Sequence, residues 1–143
     1  MLWLLRHADA LDGQPDEDRP LSEKGGRQAR TAGAALAKLG VKLDACLSSP
    51  RLRAVDTAKL ACEPLGLDVH VVPELGGGSF DPEAVAAGWG SEVLLVGHEP
   101  DFSRAIHDLT GARVRLKKAG LAAIDRRELI VLMRPAELAA IAG

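Results

Sequence analysis

Short apolar segments alternate along the chain with longer amphipathic ones. Apolar runs of strand length cover 1–5, 43–47, 69–72 and 92–96. Between them, apolar side chains recur every three or four positions, as on one face of a helix, over 22–39, 51–65, 81–87 and 102–109. This alternation predicts a mostly parallel sheet with helices on both faces, a three-layer α/β/α sandwich.

Residues typical of helix ends support these bounds. Ser22 is the predicted N-cap of the first long helix, which Gly40 ends. Pro64 marks the frayed end of the second, and Asp81 followed by Pro82 begins the short third one. Pro135 is expected to begin a C-terminal helix.

The last third of the chain changes pattern. Runs over 114–116, 121–125 and 129–133 are separated only by turn residues, which predicts an antiparallel edge to the sheet. The chain shows no internal repeat, low-complexity tract or linker. We therefore expect residues 1–143 to form a single α/β domain with a mixed sheet.

Composition and charge exclude several classes of protein. The 143 residues are 47% hydrophobic, enough for a sizeable core, and the formal net charge is −2. Near-neutral charge argues against nucleic acid as a partner, because duplex binding needs a clustered basic face. The apolar run at 1–5 is too short for a signal sequence or a membrane span, so we expect a cytoplasmic protein without a membrane partner.

The cysteines give no sign of a metal site. Cys46 and Cys62 are 16 positions apart, with no Cys-x-x-Cys motif and no histidine at ligand spacing. Two buried free thiols are the simpler interpretation. We expect neither a metal nor another cofactor.

Polar side chains follow three of the apolar runs. Arg6 and His7 follow the first, Ser48 to Arg53 the second, and His98 the run at 92–96. Parallel strands bring their carboxyl ends to one edge of the sheet, so these groups are expected to converge there. Two imidazoles and up to three guanidinium groups match a tetrahedral phosphate dianion.

These three segments carry a family resemblance. Arg6-His7-Ala8, Ser49-Pro50-Arg51-Leu52-Arg53-Ala54 with Thr57-Ala58, and Gly97-His98-Glu99-Pro100 resemble, in this order, the motifs of the phosphoglycerate mutase-like histidine phosphatase superfamily. The usual first motif of that superfamily is Arg-His-Gly. The short chain, the form Arg-His-Ala-Asp-Ala at 6–10 and Arg-Pro-Leu-Ser at 19–22 resemble its SixA branch of small phosphohistidine phosphatases.

The resemblance implies a role for each residue. His7 is the expected nucleophile, transiently phosphorylated, and Arg6, Arg53 and His98 complete the phosphate pocket. Glu74 falls where several members of the superfamily carry the proton donor. Asp9 and Asp18 are alternatives that could orient the arginines or act as the acid.

Each assignment has a structural alternative. Arg53 could instead pair with Asp56 on a helix surface. His98 could be a structural histidine at a strand end, with its hydrogen bonds made within the protein. Glu74 could be a surface carboxylate that only contacts water. His70 and His107 are interpreted as structural or surface residues. The pair Lys117-Lys118 is interpreted as a solvated turn rather than a binding patch.

The expected activity is metal-independent phosphate hydrolysis through phospho-His7. The resemblance implies a phosphohistidine on a signalling protein, such as a histidine phosphotransfer domain, as the substrate. Only residues 76–90 are available for a lid between Leu75 and the next strand, which is compatible with a protein-borne side chain and equally with small phosphate esters. A small-molecule phosphomonoesterase and a non-catalytic phosphoprotein-binding domain are the alternatives.

Overall fold

The computed structural model describes residues 1–143 and contains one six-stranded mixed sheet with the strand order β3-β2-β4-β1-β5-β6. The strands are β1 Leu2–Arg6, β2 Ala45–Ser48, β3 Val69–Val71, β4 Val93–Gly97, β5 Leu121–Asp125 and β6 Glu128–Met133. The first four run parallel to one another, and β5 and β6 are antiparallel to their neighbours. The prediction of a mostly parallel sheet with an antiparallel edge is confirmed.

Helices cover both faces of the sheet, as predicted. They are α1 Glu23–Lys38, α2 Leu52–Cys62, α3 Pro82–Ala86, α4 Asp101–Thr110 and α5 Pro135–Ala142. Short 3-10 turns lie at Asp16–Asp18, Glu63–Leu65 and Pro73–Leu75. Buried residues of α1, α2 and α5 share one core cluster with one face of the sheet, and those of α3 and α4 share a second cluster with the other face. None of these helices is both long and apolar enough to span a membrane.

The helix ends follow the local signals in the sequence. The Ser22 hydroxyl accepts a hydrogen bond from the N–H of Gly25, and Asp81 caps α3 by accepting one from the N–H of Glu83. Pro64 lies in the 3-10 turn that follows α2, and Pro135 lies in the first turn of α5. The predicted caps and terminators are confirmed.

Small residues bring α1 close to α2. Gly33 of α1 lies so near the carbonyl of Ala61 that a Cβ at position 33 would clash with the backbone of α2. The facing positions are alanines, and Ala32, Ala58 and Ala61 are fully buried. This close approach fixes the position of α2, whose first turn carries Arg53.

One element of the prediction is wrong. Residues 114–116 form no strand, so the antiparallel edge has two strands rather than three. The backbone of Leu116 bonds to side chains instead: its N–H donates to Oε2 of Glu99 at 3.1 Å, and its carbonyl accepts from Nη1 of Arg6 at 2.9 Å. Backbone groups bound in this way are not available to a β-ladder.

Candidate active site

The polar segments after β1, β2 and β4 meet at the carboxyl edge of the sheet. The N–H of His7 donates to the carbonyl of Gly97 at 2.9 Å, and the N–H of Ser49 donates to the carbonyl of Val96 at 2.9 Å. The rings of His7 and His98 lie with their centroids 5.3 Å apart. The convergence predicted from strand order is therefore present.

The His7 ring is held in one tautomer. Its Nδ1 lies 2.8 Å from the carbonyl of Ala8. A carbonyl can only accept, so Nδ1 carries the hydrogen and Nε2 keeps its lone pair. Burial lowers the pKa of His7 to about 4, and the charges of Arg53, Arg6 and Lys118 also lower it, against the opposing effect of the Ala8 bond. At neutral pH, His7 is an uncharged imidazole with a free nitrogen.

His98 is buried beside it and is also neutral. Burial lowers the pKa of His98 to about 3, with His7 and Arg53 adding to the shift. Its Nε2 lies 2.7 Å from the Ser49 hydroxyl, and that hydroxyl accepts a further hydrogen bond from the N–H of Arg51. The other ring nitrogen, Nδ1, is buried without a partner.

Arg6 is oriented by the segment that replaces the expected third edge strand. Its Nη1 donates to the carbonyl of Leu116, and Leu116 is anchored by the carboxylate of Glu99. The other oxygen of Glu99 accepts from the N–H of Ser103 at 2.7 Å, which ties this carboxylate to the first turn of α4. Burial lowers the pKa of Arg6, and the nearby charge of Glu99 opposes that effect.

Arg53 pairs with Asp16 rather than with Asp56. Its Nη1 donates to the backbone carbonyl of Asp16 at 2.9 Å, and its Nη2 donates to the carboxylate at 3.2 Å. Arg51 forms an ion pair with the same carboxylate and donates from Nε to the carbonyl of Gly76 at 2.8 Å. Hydrogen bonding to Arg19 and then the charge of Arg53 hold the pKa of Asp16 below its usual range.

Thr57 joins the nucleophile segment to the helix of Arg53. Its hydroxyl accepts from the N–H of Ala8 at 3.0 Å and donates to the carbonyl of Arg53 at 2.7 Å. Thr57 is fully buried. A displacement of α2 therefore moves both Arg53 and the backbone that follows His7.

The site holds every buried side-chain nitrogen or oxygen that lacks a hydrogen-bond partner in the protein. These atoms are Nε of Arg6, Nε of Arg53 and Nδ1 of His98. Buried polar groups are nearly always paired, so the two unpaired guanidinium N–H groups near His7 identify a place where an anion can supply the missing acceptors.

The alternative carboxylates do not bond to Arg6 or Arg53. Asp9 bonds to Ser22 at 2.6 Å and to Lys118 at 3.3 Å, so it does not orient the arginines, and Asp18 makes no side-chain hydrogen bond. Glu74 lies exposed in the 3-10 turn after β3 and makes no side-chain hydrogen bond or ion pair. That turn is nevertheless held near Arg51 through the carbonyl of Gly76.

The remaining candidates lie outside the site. His70 packs against Trp89 in a tilted arrangement with the ring centroids 4.7 Å apart, and His107 is exposed on α4. Cys46 and Cys62 are buried free thiols, as predicted. No three His, Cys, Asp or Glu side chains are grouped so that they could hold a metal ion.

Sequence reasoning missed Asp16 and the part played by Glu99. Asp16 contacts Arg53 across 37 positions of sequence, and no local pattern connects the two residues. Glu99 directly follows His98 in a motif that the sequence analysis singled out. Its bond to Leu116 depends on a loop conformation that no local pattern encodes.

Comparison with known proteins gives the family and the fold of the chain. Residues 2–83 match the model of the histidine phosphatase superfamily (branch 1). The solved structure of the protein histidine phosphatase SixA complexed with tungstate matches with a TM-score of 0.82 and 25% identity, covering 96% of this chain and 98% of that one. The predicted phosphoglycerate mutase-like fold is confirmed.

Two relatives extend the comparison at the level of sequence. An uncharacterized protein of Picosynechococcus sp. is 35% identical over 134 residues, which are 84% of this chain and 81% of the relative. The mitochondrial serine/threonine-protein phosphatase Pgam5 of Drosophila mojavensis is 31% identical over 116 residues, which are 78% of this chain but only 36% of that protein. The family match and the SixA structure confirm the prediction of a phosphatase. By its sequence match and its fold, the chain belongs to the histidine phosphatase superfamily.

Proposed function

We propose that the protein removes phosphate from a phosphohistidine on a signalling protein, through a covalent phospho-His7 intermediate. The observation that carries the proposal is the arrangement of two unpartnered guanidinium donors, Nε of Arg6 and Nε of Arg53, and the unpartnered Nδ1 of His98 around an imidazole with a free Nε2. The solved SixA structure with the same fold holds tungstate, a tetrahedral oxyanion like phosphate, which supports an oxyanion site in this fold.

In the first step, the Nε2 lone pair of His7 attacks the phosphorus of the substrate phosphohistidine. A new N–P bond forms as the P–N bond to the substrate imidazole breaks, and that imidazole leaves with the bonding electron pair and takes a proton from solvent. Arg6, Arg53 and His98 stabilise charge on the phosphoryl oxygens, which is most of what phosphoryl transfer requires of a protein. The carbonyl of Ala8 keeps hydrogen on Nδ1 throughout.

In the second step, water attacks the phosphorus of phospho-His7. The N–P bond breaks, its electron pair returns to Nε2, the water oxygen remains on the released phosphate, and the displaced proton goes to that phosphate or to solvent. Because the pKa of His7 is lowered to about 4, the ring returns to its neutral, nucleophilic form at neutral pH.

The exposed state of Glu74 favours phosphohistidine over a phosphate ester. Glu74, in the family's proton-donor position, is exposed and makes no hydrogen bond that would hold it against a leaving group. An imidazole leaving group has little need of such an acid, whereas an alkoxide needs one. The segment from Gly76 to Gly90 contains only the five-residue α3, which packs on the core through Ala86, and this supports access by a side chain of another protein.

Phosphomonoester hydrolysis is the second candidate. It is favoured by the likeness to Pgam5, which is named as a serine/threonine-protein phosphatase, and by the location of Glu74 at the edge of the sheet that carries the site. A small phosphate ester is a further substrate of this class. Non-catalytic phosphoprotein binding is disfavoured, because the free Nε2 of His7 is poised for attack.

Substrate comparison tests the proposal. A phosphorylated histidine phosphotransfer domain, phosphoserine peptides and a panel of small phosphate esters are assayed at the same enzyme concentration, with His7→Asn as the inactive control. We expect kcat/KM for the phosphohistidine protein to exceed that for every ester at least 100-fold. If any one ester has a higher kcat/KM than the phosphohistidine protein, the proposal is wrong and that ester represents the substrate class.

A further inference from the structure

A cavity of about 590 Å³ opens beside Arg6, between the start of α1, residues 115–118 and the start of α5. We call it the basic cleft. Among its eleven lining residues the only carboxylate is that of Asp9. The cations that line it are Arg6, Lys24, Arg115, Lys117, Lys118 and Arg134.

The basic cleft stands out from the rest of the molecule by charge. The whole chain has a formal net charge of −2, so this concentration of cations is local. Lys118 and Arg134 are paired with Asp9 and Glu137. The other three exposed cations, Lys24, Arg115 and Lys117, form no ion pair. Like charges held together without counter-charges favour binding of an anionic partner.

The basic cleft is continuous with the candidate active site. Arg6 lines the cleft while its Nε is one of the three unpartnered buried atoms of the candidate active site. The charge of Lys118 also reaches the His7 ring, where it contributes to the lowered pKa. A protein that places a phosphorylated side chain against His7 therefore covers the basic cleft with the surface around that side chain.

We propose that the basic cleft docks an acidic surface of the phosphorylated substrate protein, beside its phosphohistidine. The inference rests on the proposed function and adds the chemistry of the partner. Five of the six cations are exposed, and these five project from α1, from residues 115–118 and from the residue before α5, which fits several carboxylates spread over a protein surface. Exposed charges of this kind accelerate encounter and select partners more than they stabilise any single contact. Their effect is expected in KM and in the salt dependence, with kcat nearly unchanged.

Charge reversal tests the docking surface. The triple variant Lys24→Glu/Arg115→Glu/Lys117→Glu removes the unpaired cations of the cleft. A control variant, Lys42→Glu/Lys59→Glu/Arg126→Glu, makes the same change in net charge with exposed, unpaired cations outside the cleft. Both are assayed on a phosphorylated histidine phosphotransfer domain with acidic residues beside its histidine, and on phosphoimidazole.

We expect the cleft variant to lose at least tenfold in kcat/KM on the phosphorylated domain, through KM, and less than threefold on phosphoimidazole. The control should lose less than threefold on both. Added NaCl should lower the wild-type kcat/KM on the domain, and this dependence should be weaker in the cleft variant. Equal losses in the two triple variants would overturn the docking surface.

Two further measurements distinguish failure of the proposed function from failure of the docking inference. If wild type hydrolyses neither phosphoimidazole nor the phosphorylated domain, the proposed function fails, and the docking inference fails with it. Fructose 1,6-bisphosphate and fructose 6-phosphate test for a small ligand with a second phosphate. A tenfold loss by the cleft variant on the bisphosphate alone would assign the cleft to such an ester and overturn protein docking.

Discussion

Arg53 holds Asp16 through both of its terminal nitrogens, one on the backbone carbonyl at 2.9 Å and one on the carboxylate at 3.2 Å. The carboxylate side chain is 46% exposed and also pairs with Arg51. The pairing keeps the Arg53 guanidinium in one orientation and leaves its Nε unpartnered. It also places a negative charge next to the site proposed for a phosphate dianion.

Replacing Asp16 by Asn separates the orientation of Arg53 from the effect of the negative charge. The amide keeps the size of the side chain and an acceptor oxygen, and the backbone bond to Arg53 does not involve the side chain. Removal of the negative charge should lower the inhibition constant for vanadate roughly two- to fivefold, because like charges repel across a short distance. The measurement is competitive inhibition at fixed ionic strength. A higher inhibition constant would mean that the carboxylate serves mainly to orient Arg53.

Conservative substitution distinguishes Arg53 from Arg51. Arg53 is buried, with an unpartnered Nε, whereas the Arg51 side chain is 34% exposed and donates its Nε to Gly76. Arg53→Lys keeps the charge but loses the planar fork, and we expect kcat/KM to fall roughly 100-fold or more. Arg51→Lys should cost less than about tenfold. Steady-state kinetics on one substrate checks both, and equal losses would mean that both arginines bind the phosphoryl group.

The convergence of the four proposed phosphate-site residues was predictable because each lies at or shortly after the carboxyl end of a parallel strand. Once the alternation of strands and helices predicts a parallel sheet, Arg6, His7 and His98 must meet at its carboxyl edge, and Arg53 enters with the first turn of α2. Their convergence depends on topology, and short apolar runs encode that topology well. The resemblance to the family motifs then favoured Arg53 over Arg51 as the phosphate ligand.

The supporting contacts were not predictable, because they depend on loop conformation. Asp16 reaches Arg53 from a 3-10 turn in the loop before α1. Residues 114–116 have the apolar pattern of a strand, yet Leu116 bonds through its backbone to Arg6 and Glu99. No periodicity distinguishes an edge strand from an extended segment whose backbone is bound by side chains. That difference explains the one wrong element.

Loss of the nucleophile should abolish turnover. His7→Ala removes the attacking Nε2, so no covalent intermediate can form, and kcat should fall below detection. Circular dichroism and thermal unfolding check that the variant is folded. Rapid quench of wild type with labelled substrate should trap phosphate that is labile in acid and stable in base. Label on a serine, aspartate or cysteine would exclude His7 as the nucleophile.

Stability should depend on pH through the two buried histidines. The folded-state pKa values of His7 and His98, about 4 and about 3, lie below the value of ~6.5 expected in the unfolded chain. Below pH ~6.5 the unfolded state therefore binds more protons, and the free energy of unfolding falls as the pH falls towards the folded-state values. Each histidine contributes up to about 1.4 kcal/mol per pH unit.

Urea unfolding between pH 7.5 and pH 5.5 measures this dependence. The variant His98→Gln keeps a polar group near Ser49 but cannot titrate in this range. Its stability should change with pH less steeply than that of wild type, by about 1 kcal/mol per pH unit at pH 5.5. A slope identical to wild type would mean that His98 is already charged in the folded protein at that pH.

Glu74 separates the two substrate classes. An alkoxide is a poor leaving group, so an ester needs a proton delivered as its bond to phosphorus breaks, and a positioned acid contributes ~10²- to 10⁴-fold. The imidazole of phosphohistidine leaves readily and takes its proton from solvent. If an ester substrate brings Glu74 into place as the proton donor, Glu74→Gln should slow hydrolysis of alkyl phosphates by at least about 100-fold and that of phosphohistidine by less than about threefold.

The matched control is Glu83→Gln, because Glu83 is also exposed but lies on α3 and is paired with Arg127. Both variants are assayed by kcat/KM on one alkyl phosphate and on one phosphohistidine protein. The Glu83 variant should differ from wild type by less than about twofold on each, since it removes a surface charge remote from His7. If Glu74→Gln instead slows both substrates equally, the residue protonates the imidazole leaving group as well. If it slows neither, the expected assignment of Glu74 as proton donor is wrong, and its exposed, unbonded side chain only solvates the turn after β3.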